Sequence, residues 1–190
     1  MRSVGDGKSF FQRHAGEGAD ALFTPVGKGS DGVAYMRLKS ADAILQLAQF
    51  GIVELHTWGS HAPAWQRSDR LTFDLDPDPA LPWGTLREAA VLMRELLQDL
   101  GIRSLLKSSG GAGLHVVVPL ARGVDFEFAA RFAQAAARKL AEVFPERFTA
   151  VKGTERRRGK IFIDWQRNQH GATAVAAWSP RLRAGAPVSM

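Results

Sequence analysis

The chain has 190 residues, is 45% hydrophobic, carries a net charge of +6 and contains no cysteine. That length and apolar content suit one globular domain, or one and a half, and argue against wholesale disorder. The missing cysteines exclude a disulfide framework, a thiolate zinc site and a cysteine nucleophile. No apolar run reaches the ~18 residues of a membrane span, and the N-terminal MRSVGDGKSFF lacks a signal-peptide core. The expectation is a soluble cytoplasmic protein with no membrane partner.

In chain order, the opening SVGDGKS reads as loop and leads straight into FFQ. GVAYMRLK (32–39) reads as a strand, followed by a short helix over 40–51 with Ser40 as N-cap and Gly51 as stop. IVELHTW (52–58) and DRLTFDLDP (69–77) read as two further strands. Residues 82–101 have apolar spacing of helical period and end on glycine. RSLLKS (103–108) and GLHVVVPL (113–120) form a hairpin pattern around a glycine-rich turn, and 124–144 is the longest amphipathic helix. RFTAV (147–151), KIFIDW (160–165) and TAVAAW (173–178) are late strands, and 180–187 is loop. Strands follow one another through short turns instead of alternating with helices. That predicts an α+β fold, a mixed or antiparallel sheet flanked by helices. At PVSM a strand or loop reads as unfinished, so the ends are those expected of a piece of a larger domain.

Three groups of residues carry chemistry. In LTFDLDP, Asp74 and Asp76 lie two apart on a strand and so share one face. Such a pair suits a hard divalent cation, Mg²⁺ or Mn²⁺; it also fits a solvated strand face of unpaired acids. Asp78, past Pro77, is a poorer candidate. Asp164, in the apolar KIFIDW, would complete a site for one or two metals on a neighbouring strand, the kind of site that performs phosphoryl displacement. The alternative, a surface pair of Asp164 with Arg167, explains less. In SSGGAGLHV (108–116), Gly110, Gly111 and Gly113 can turn amides inward as an anion nest, with Ser109 and His115 alongside. The same stretch fits an ordinary glycine hairpin.

The basic residues are concentrated. Positions 152–183 hold eight basic and two acidic residues, which equals the whole net charge. A block of this kind predicts a polyanionic partner, although the run Arg156, Arg157, Arg158 also fits a solvated loop. His56 lies mid-strand, facing the sheet or a ligand, while His14 and His170 lie in loops. Trp58, Trp165 and Trp178 stand at predicted strand ends. Phe10 and Phe11, adjacent in a polar segment, are placed to stack on a base or to tuck in as a strand end.

Together FDLDP, SSGGAGLHVVVPL and RRRGKIFIDWQRNQHGATAVAAWSPRLRAGAPV resemble the polymerase domain of bacterial ATP-dependent DNA ligase D, of the archaeo-eukaryotic primase superfamily. The likeness runs from GKSFFQRH onward. It implies a primase-polymerase core and template-directed nucleotidyl transfer at broken or gapped DNA ends in non-homologous end joining. It implies nucleoside triphosphates as substrate, two Mn²⁺ or Mg²⁺ ions with Mn²⁺ favoured, and ready use of ribonucleotides. It also implies partnership with Ku and with ligase and end-processing modules, hence nucleoid association. By position, Asp74, Asp76 and Asp164 match the metal-binding catalytic triad. His56, Ser109, Gly110, Gly111, His115, Arg167, Arg181 and Arg183 match nucleotide-contacting positions. Phe10 and Phe11 match a pair stacking at the nucleotide and template end, and Arg156, Arg157 and Arg158 are expected to meet nucleic acid. Two departures stand out. The family's turn reads SGGKGLH, with lysine where this chain has Ala112. Family domains also begin several elements earlier, in a segment whose lysines recognise a recessed 5′-phosphate. The chain is therefore expected to be N-terminally shortened and impaired in end recognition, and a non-catalytic nucleic-acid-binding remnant or a metal-dependent nuclease stays open.

Overall fold

A computed structural model describes residues 1–5, 8–11, 18–29, 32 and 34–190. The elements run β1 (Arg2–Gly5), β2 (Lys8–Phe11), β3 (Phe23–Lys28), β4 (Ala34–Leu38), α1 (Asp42–Gln49), β5 (Ile52–Glu54), β6 (His56–Trp58) and β7 (Arg67–Pro77). They continue with α2 (Trp83–Asp99), β8 (Leu105–Ser108), β9 (Leu114–Asp125), α3 (Phe126–Val143), β10 (Phe148–Thr149), α4 (Thr154–Arg157), β11 (Ile161–Asp164) and β12 (Thr173–Val175). Short 3₁₀ turns cover Ala19–Leu22, Ala62–Ala64 and Trp165–Asn168. No helix among the described residues is long and apolar enough to cross a membrane.

Five strands form the central sheet in the order β10-β11-β7-β9-β8. Only the β10–β11 pair is parallel. This is the mixed α+β arrangement expected from the element order. The alternation of side chains along each strand divides the sheet into two faces. Leu71, Phe73 and Leu75 of β7, Leu114, Val116 and Val118 of β9, and Ile161 and Ile163 of β11 all point one way. There they pack on Leu86, Met93 and Leu97 of α2 and on the small Ala129, Ala133 and Ala137 of α3, which let that helix lie close to the sheet. The intervening residues, Thr72, Asp74, Asp76, His115, Phe162 and Asp164, fall on the opposite face.

Among the described residues three smaller sheets, β2-β1-β5, β12-β6 and β3-β4, accompany the central one. A second apolar cluster of Leu22, Ala43, Leu47 and Ile52 holds α1 against them. The helix ends follow their local chemistry. Asp125 accepts the Phe128 amide (2.6 Å) and caps α3. Gly101, at φ +71°, closes α2: its amide reaches Gln98 and that of Ile102 reaches Leu97, both at 2.9 Å, in a Schellman motif. The N-cap of α1 is Ala41, not Ser40 as expected; Ser40, one residue before it, still accepts the Ala43 amide on Oγ at 3.3 Å.

The structure differs from the sequence reading in several elements. The opening residues outside 6 and 7 form two antiparallel strands, β1 and β2, instead of loop. The 52–58 run is two strands in different sheets, broken at Leu55, whose amide is taken by Ser179 Oγ (2.9 Å) and whose carbonyl takes the Ala176 amide. Strand β3 was not expected. Part of the arginine run is a single helical turn, and Trp178 lies outside any strand with φ +66°. His14 lies outside the described residues.

Candidate active site: an acidic row facing a cleft

Register places the site. Asp164 of β11 pairs with Asp74 of β7, Asp74 pairs with His115 of β9, and His115 pairs with Lys107 of β8. One row across four strands therefore carries two carboxylates, an imidazole and an ammonium on the face away from the helices. Asp76, two residues on, stands beside the row. Each of Asp74, Asp76 and Asp164 offers a carboxylate oxygen within 4.8 Å of the others. The third acid stands on a neighbouring strand and is buried, and the alternative pairing of Asp164 with Arg167 is formed as well.

The carboxylates are held in different states. Burial would raise Asp74, but His115 Nε2 at 3.3 Å and the Arg167 guanidinium outweigh it and hold it below the ordinary value. Burial, then the charge of Asp74, pushes Asp76 up to about 6 against the pull of Arg167. Burial also raises Asp164, again opposed by Arg167. Arg167 Nε lies 3.1 Å from Asp74 Oδ2 and 3.1 Å from Asp164 Oδ2. The chain itself thus places a cation between two of the acids. Asn168 fixes that arrangement: its side chain accepts the Thr72 amide (2.7 Å) and donates to the Thr72 carbonyl (2.9 Å), pinning the 3₁₀ turn to β7.

The glycine turn lies against the acids. A Cβ built on Gly113 would sit 2.8 Å from the Leu75 carbonyl and 3.5 Å from carboxylate oxygens of both Asp74 and Asp76, so only glycine allows this approach. Within the turn, Ser109 Oγ donates to the Gly113 carbonyl (2.8 Å) and accepts the Gly111 and Gly113 amides (3.2 Å each). Those two amides close on the serine hydroxyl instead of pointing outward as an open nest. Gly110, at φ +64°, is packed against Arg181 and the Ser189 amide. The Arg183 guanidinium carbon lies 3.3 Å from where a Gly111 Cβ would be, which sets an exposed cation over the turn, beside exposed Ala112.

A cleft of about 1170 Å³ opens in front of Asp76 and Asp164. Phe11 and His56 line it, with ring centroids 5.3 Å apart in an edge-to-face contact, and so do Lys152 and Arg157. Phe10 shares β2 with Phe11 and pairs in register with Ser3. The three arginines of the run diverge: Arg157 lines the cleft, Arg158 pairs with Glu155 at 3.1 Å, and Arg156 is exposed.

Besides Ser109, His115 and Arg167, two more of the predicted nucleotide contacts are engaged within the protein. Arg181 is largely buried, donates to the Ser109 carbonyl, and has Nε 3.2 Å from Glu54. His56 Nε2 donates to Glu54 Oε1 at 2.7 Å. Sequence reasoning passed over Glu54, Lys107 and Asn168. The signal for Glu54 was present, since it is an acid inside an apolar strand, the same sign that marked Asp164. Lys107 Nζ donates to the Val175 carbonyl (3.0 Å) and Ser189 Oγ (2.7 Å), and burial lowers it to about 8. No local pattern distinguishes Asn168.

A mixed sheet with an acidic row on one face, a glycine turn against it and a basic cleft in front is the layout of primase-type nucleotidyltransferases. The family model of the LigD primase-polymerase domain matches residues 2–190. The chain belongs to that family. It is 44% identical over 188 residues to the multifunctional non-homologous end joining protein LigD of Pseudomonas aeruginosa, covering 97% of this chain and 22% of that protein. It is 27% identical over 179 residues to the bifunctional LigD of Bacillus subtilis, covering 92% of this chain and 28% of that protein. The solved polymerase domain from Mycobacterium tuberculosis ligase D in complex with DNA superposes with TM-score 0.87 at 28% identity, over 98% of this chain and 70% of that one. The chain thus spans between 22% and 28% of the length of these curated relatives.

Proposed function

We propose that this chain is a template-directed nucleotidyltransferase that fills or extends broken or gapped DNA ends in double-strand break repair, as the polymerase part of a ligase D. The observation that carries the reading is the row Asp164–Asp74–His115 with Asp76 beside it, from which Asp164 and Asp76 line a basic cleft. Three carboxylates with oxygens within 4.8 Å, one of them pushed up by burial and then by the charge of Asp74, form a hard-oxygen donor set that suits Mg²⁺ or Mn²⁺. Asp74, Asp76 and Asp164 would hold the ion or ions, which when bound supply Lewis-acid charge for phosphoryl displacement.

The remaining residues bind and orient. His115, buried behind Asp74, fixes the direction of that carboxylate. Arg183, over the glycine turn, is placed to meet the outer phosphates of a nucleoside triphosphate. Phe11, half exposed beside His56, offers a face for base stacking. Lys152 and Arg157 line the cleft as contacts for a nucleic-acid backbone. Ku and the ligase and end-processing modules of ligase D are the partners this reading implies.

Primer extension with Mn²⁺ and labelled nucleotides tests it. The wild-type chain should add nucleotides directed by a template. Asp74→Ala and Asp164→Ala should lose extension by at least about a hundredfold while keeping DNA affinity within severalfold. Binding without extension in the wild type would identify a remnant, and degradation of the primer a nuclease.

A further inference from the structure

Glu54 ends strand β5 with 1% of its surface exposed, although the residues before it in the strand are apolar. Both of its carboxylate oxygens are in use. Oε1 accepts Nε2–H of His56 at 2.7 Å. Oε2 accepts the Leu182 amide at 2.9 Å and lies 3.2 Å from Arg181 Nε. Arg181 donates in turn to the Ser109 carbonyl, at the start of the glycine turn. One buried carboxylate therefore joins His56, the 180–187 loop that carries Arg183, and the turn beneath Arg183. These contacts together hold Glu54 down at about 2 although burial would raise it.

Stability is a weak reason for such a group. Desolvating a charge costs as much as a buried pair returns, and an apolar residue often serves a fold equally well. The two oxygens suggest a different reason. His56 spends Nε2–H on Glu54, so the nitrogen left for the cleft is Nδ1, which makes no hydrogen bond among the described residues. In the neutral ring that nitrogen is an acceptor. Meanwhile the second oxygen sets the height of the loop from which Arg183 overhangs Gly111.

Resting on the function proposed above, we infer that Glu54 is a positioning residue for the incoming nucleotide: its two oxygens fix the ring nitrogen that His56 presents to the cleft and, at the same time, the loop that places Arg183 over the glycine turn. A glutamine at 54 has one acceptor oxygen and one donor NH₂. It keeps His56 as it stands only by turning its NH₂ against the Leu182 amide and Arg181, or keeps the loop only by turning its NH₂ to His56 Nε2, which forces the ring proton onto Nδ1.

Two measurements decide this. Long-range ¹⁵N–¹H spectra of the wild-type protein at mildly alkaline pH should show His56 protonated on Nε2 and bare on Nδ1. The reverse tautomer would overturn the inference without any variant having to fold. Titration with a fluorescent nucleoside triphosphate should then show Glu54→Gln binding about tenfold more weakly, with an unchanged circular dichroism spectrum. In a His56→Ala background the same change should cost clearly less, because part of its effect passes through His56. Equal affinity of Glu54→Gln and wild type, or losses that add in full, would refute the positioning role. A wild-type chain that binds no triphosphate would instead refute the proposed function, while the tautomer still reports on Glu54.

Discussion

Asp76 is the acid of the site that Arg167 does not pair with, and its titration has two consequences of opposite sign. Its folded value of about 6 stands above the ordinary 3.8. Between those values the unfolded chain is ionised while the folded one keeps its proton, so the ion-free protein loses stability as pH rises through that window. Asp76→Asn should therefore melt a few degrees above wild type at neutral pH without divalent ions, and the gap should close below about pH 4. Divalent ion binding needs the ionised group, so wild-type Mn²⁺ affinity should fall as pH drops through about 6. A melting series with and without Mn²⁺ checks both, and an Asp76→Asn protein destabilised at neutral pH would refute the assignment. At Ala112, exposed beside Arg183, lysine would add a point charge near the outer phosphates. Ala112→Lys should tighten triphosphate binding severalfold, on the order of 1 kcal/mol, and monophosphate binding less; equal gains would show that the turn does not meet those phosphates. The acids were legible in sequence because strand geometry repeats every two residues and an aspartate inside an apolar strand needs a reason. The closure of Ser109 on its own turn, and of Arg181 on Glu54, was not, because both depend on which distant segment arrives there.

Among the elements, those with strong local signals were read closely. The two long helices carry apolar spacing and clear ends, and β7, β9 and β11 are dense in branched and aromatic residues. The strands that were missed have broken signals. β3 contains Pro25 and Gly27, and pairs with β4 through a register shift between them. Gly27 is required by tertiary packing, since a Cβ there would lie 2.4 Å from the Trp65 ring. The split at Leu55 has no sequence mark, because it is made by Ser179 and Ala176 arriving from the C-terminal region. The short α4 bears directly on nucleic acid. Of its arginine run, Arg158 is occupied by Glu155, leaving Arg156 and Arg157 for phosphates. Replacing all three arginines with alanine should lower the slope of log affinity against log salt by about 1 to 2, not 3, since each phosphate neutralised contributes about 0.9. A DNA titration at several salt concentrations measures this, and an unchanged slope would make α4 a bystander.

For the molecule as a whole, folding redistributes the charge that the sequence concentrates between 152 and 183. Arg167 and Arg181 turn inward to Asp74, Asp164 and Glu54, and Arg158 is held by Glu155. The positive surface offered to a polyanion is smaller than the count of basic residues implies, and it gathers at the cleft through Lys152 and Arg157. The central sheet, meanwhile, is both the wall of the core and the floor of the site, with β7 supplying each in alternate residues. The strand is consequently sensitive to the parity of its length. One residue inserted or deleted between Arg70 and Phe73 would turn Asp74 and Asp76 toward α2 and α3 and turn Leu75 toward the cleft. An even-numbered change would keep the acids facing the cleft and only slide them out of line with Asp164 and His115. Lineages of this fold should accordingly tolerate length variation in the loops around β7 and almost none within it.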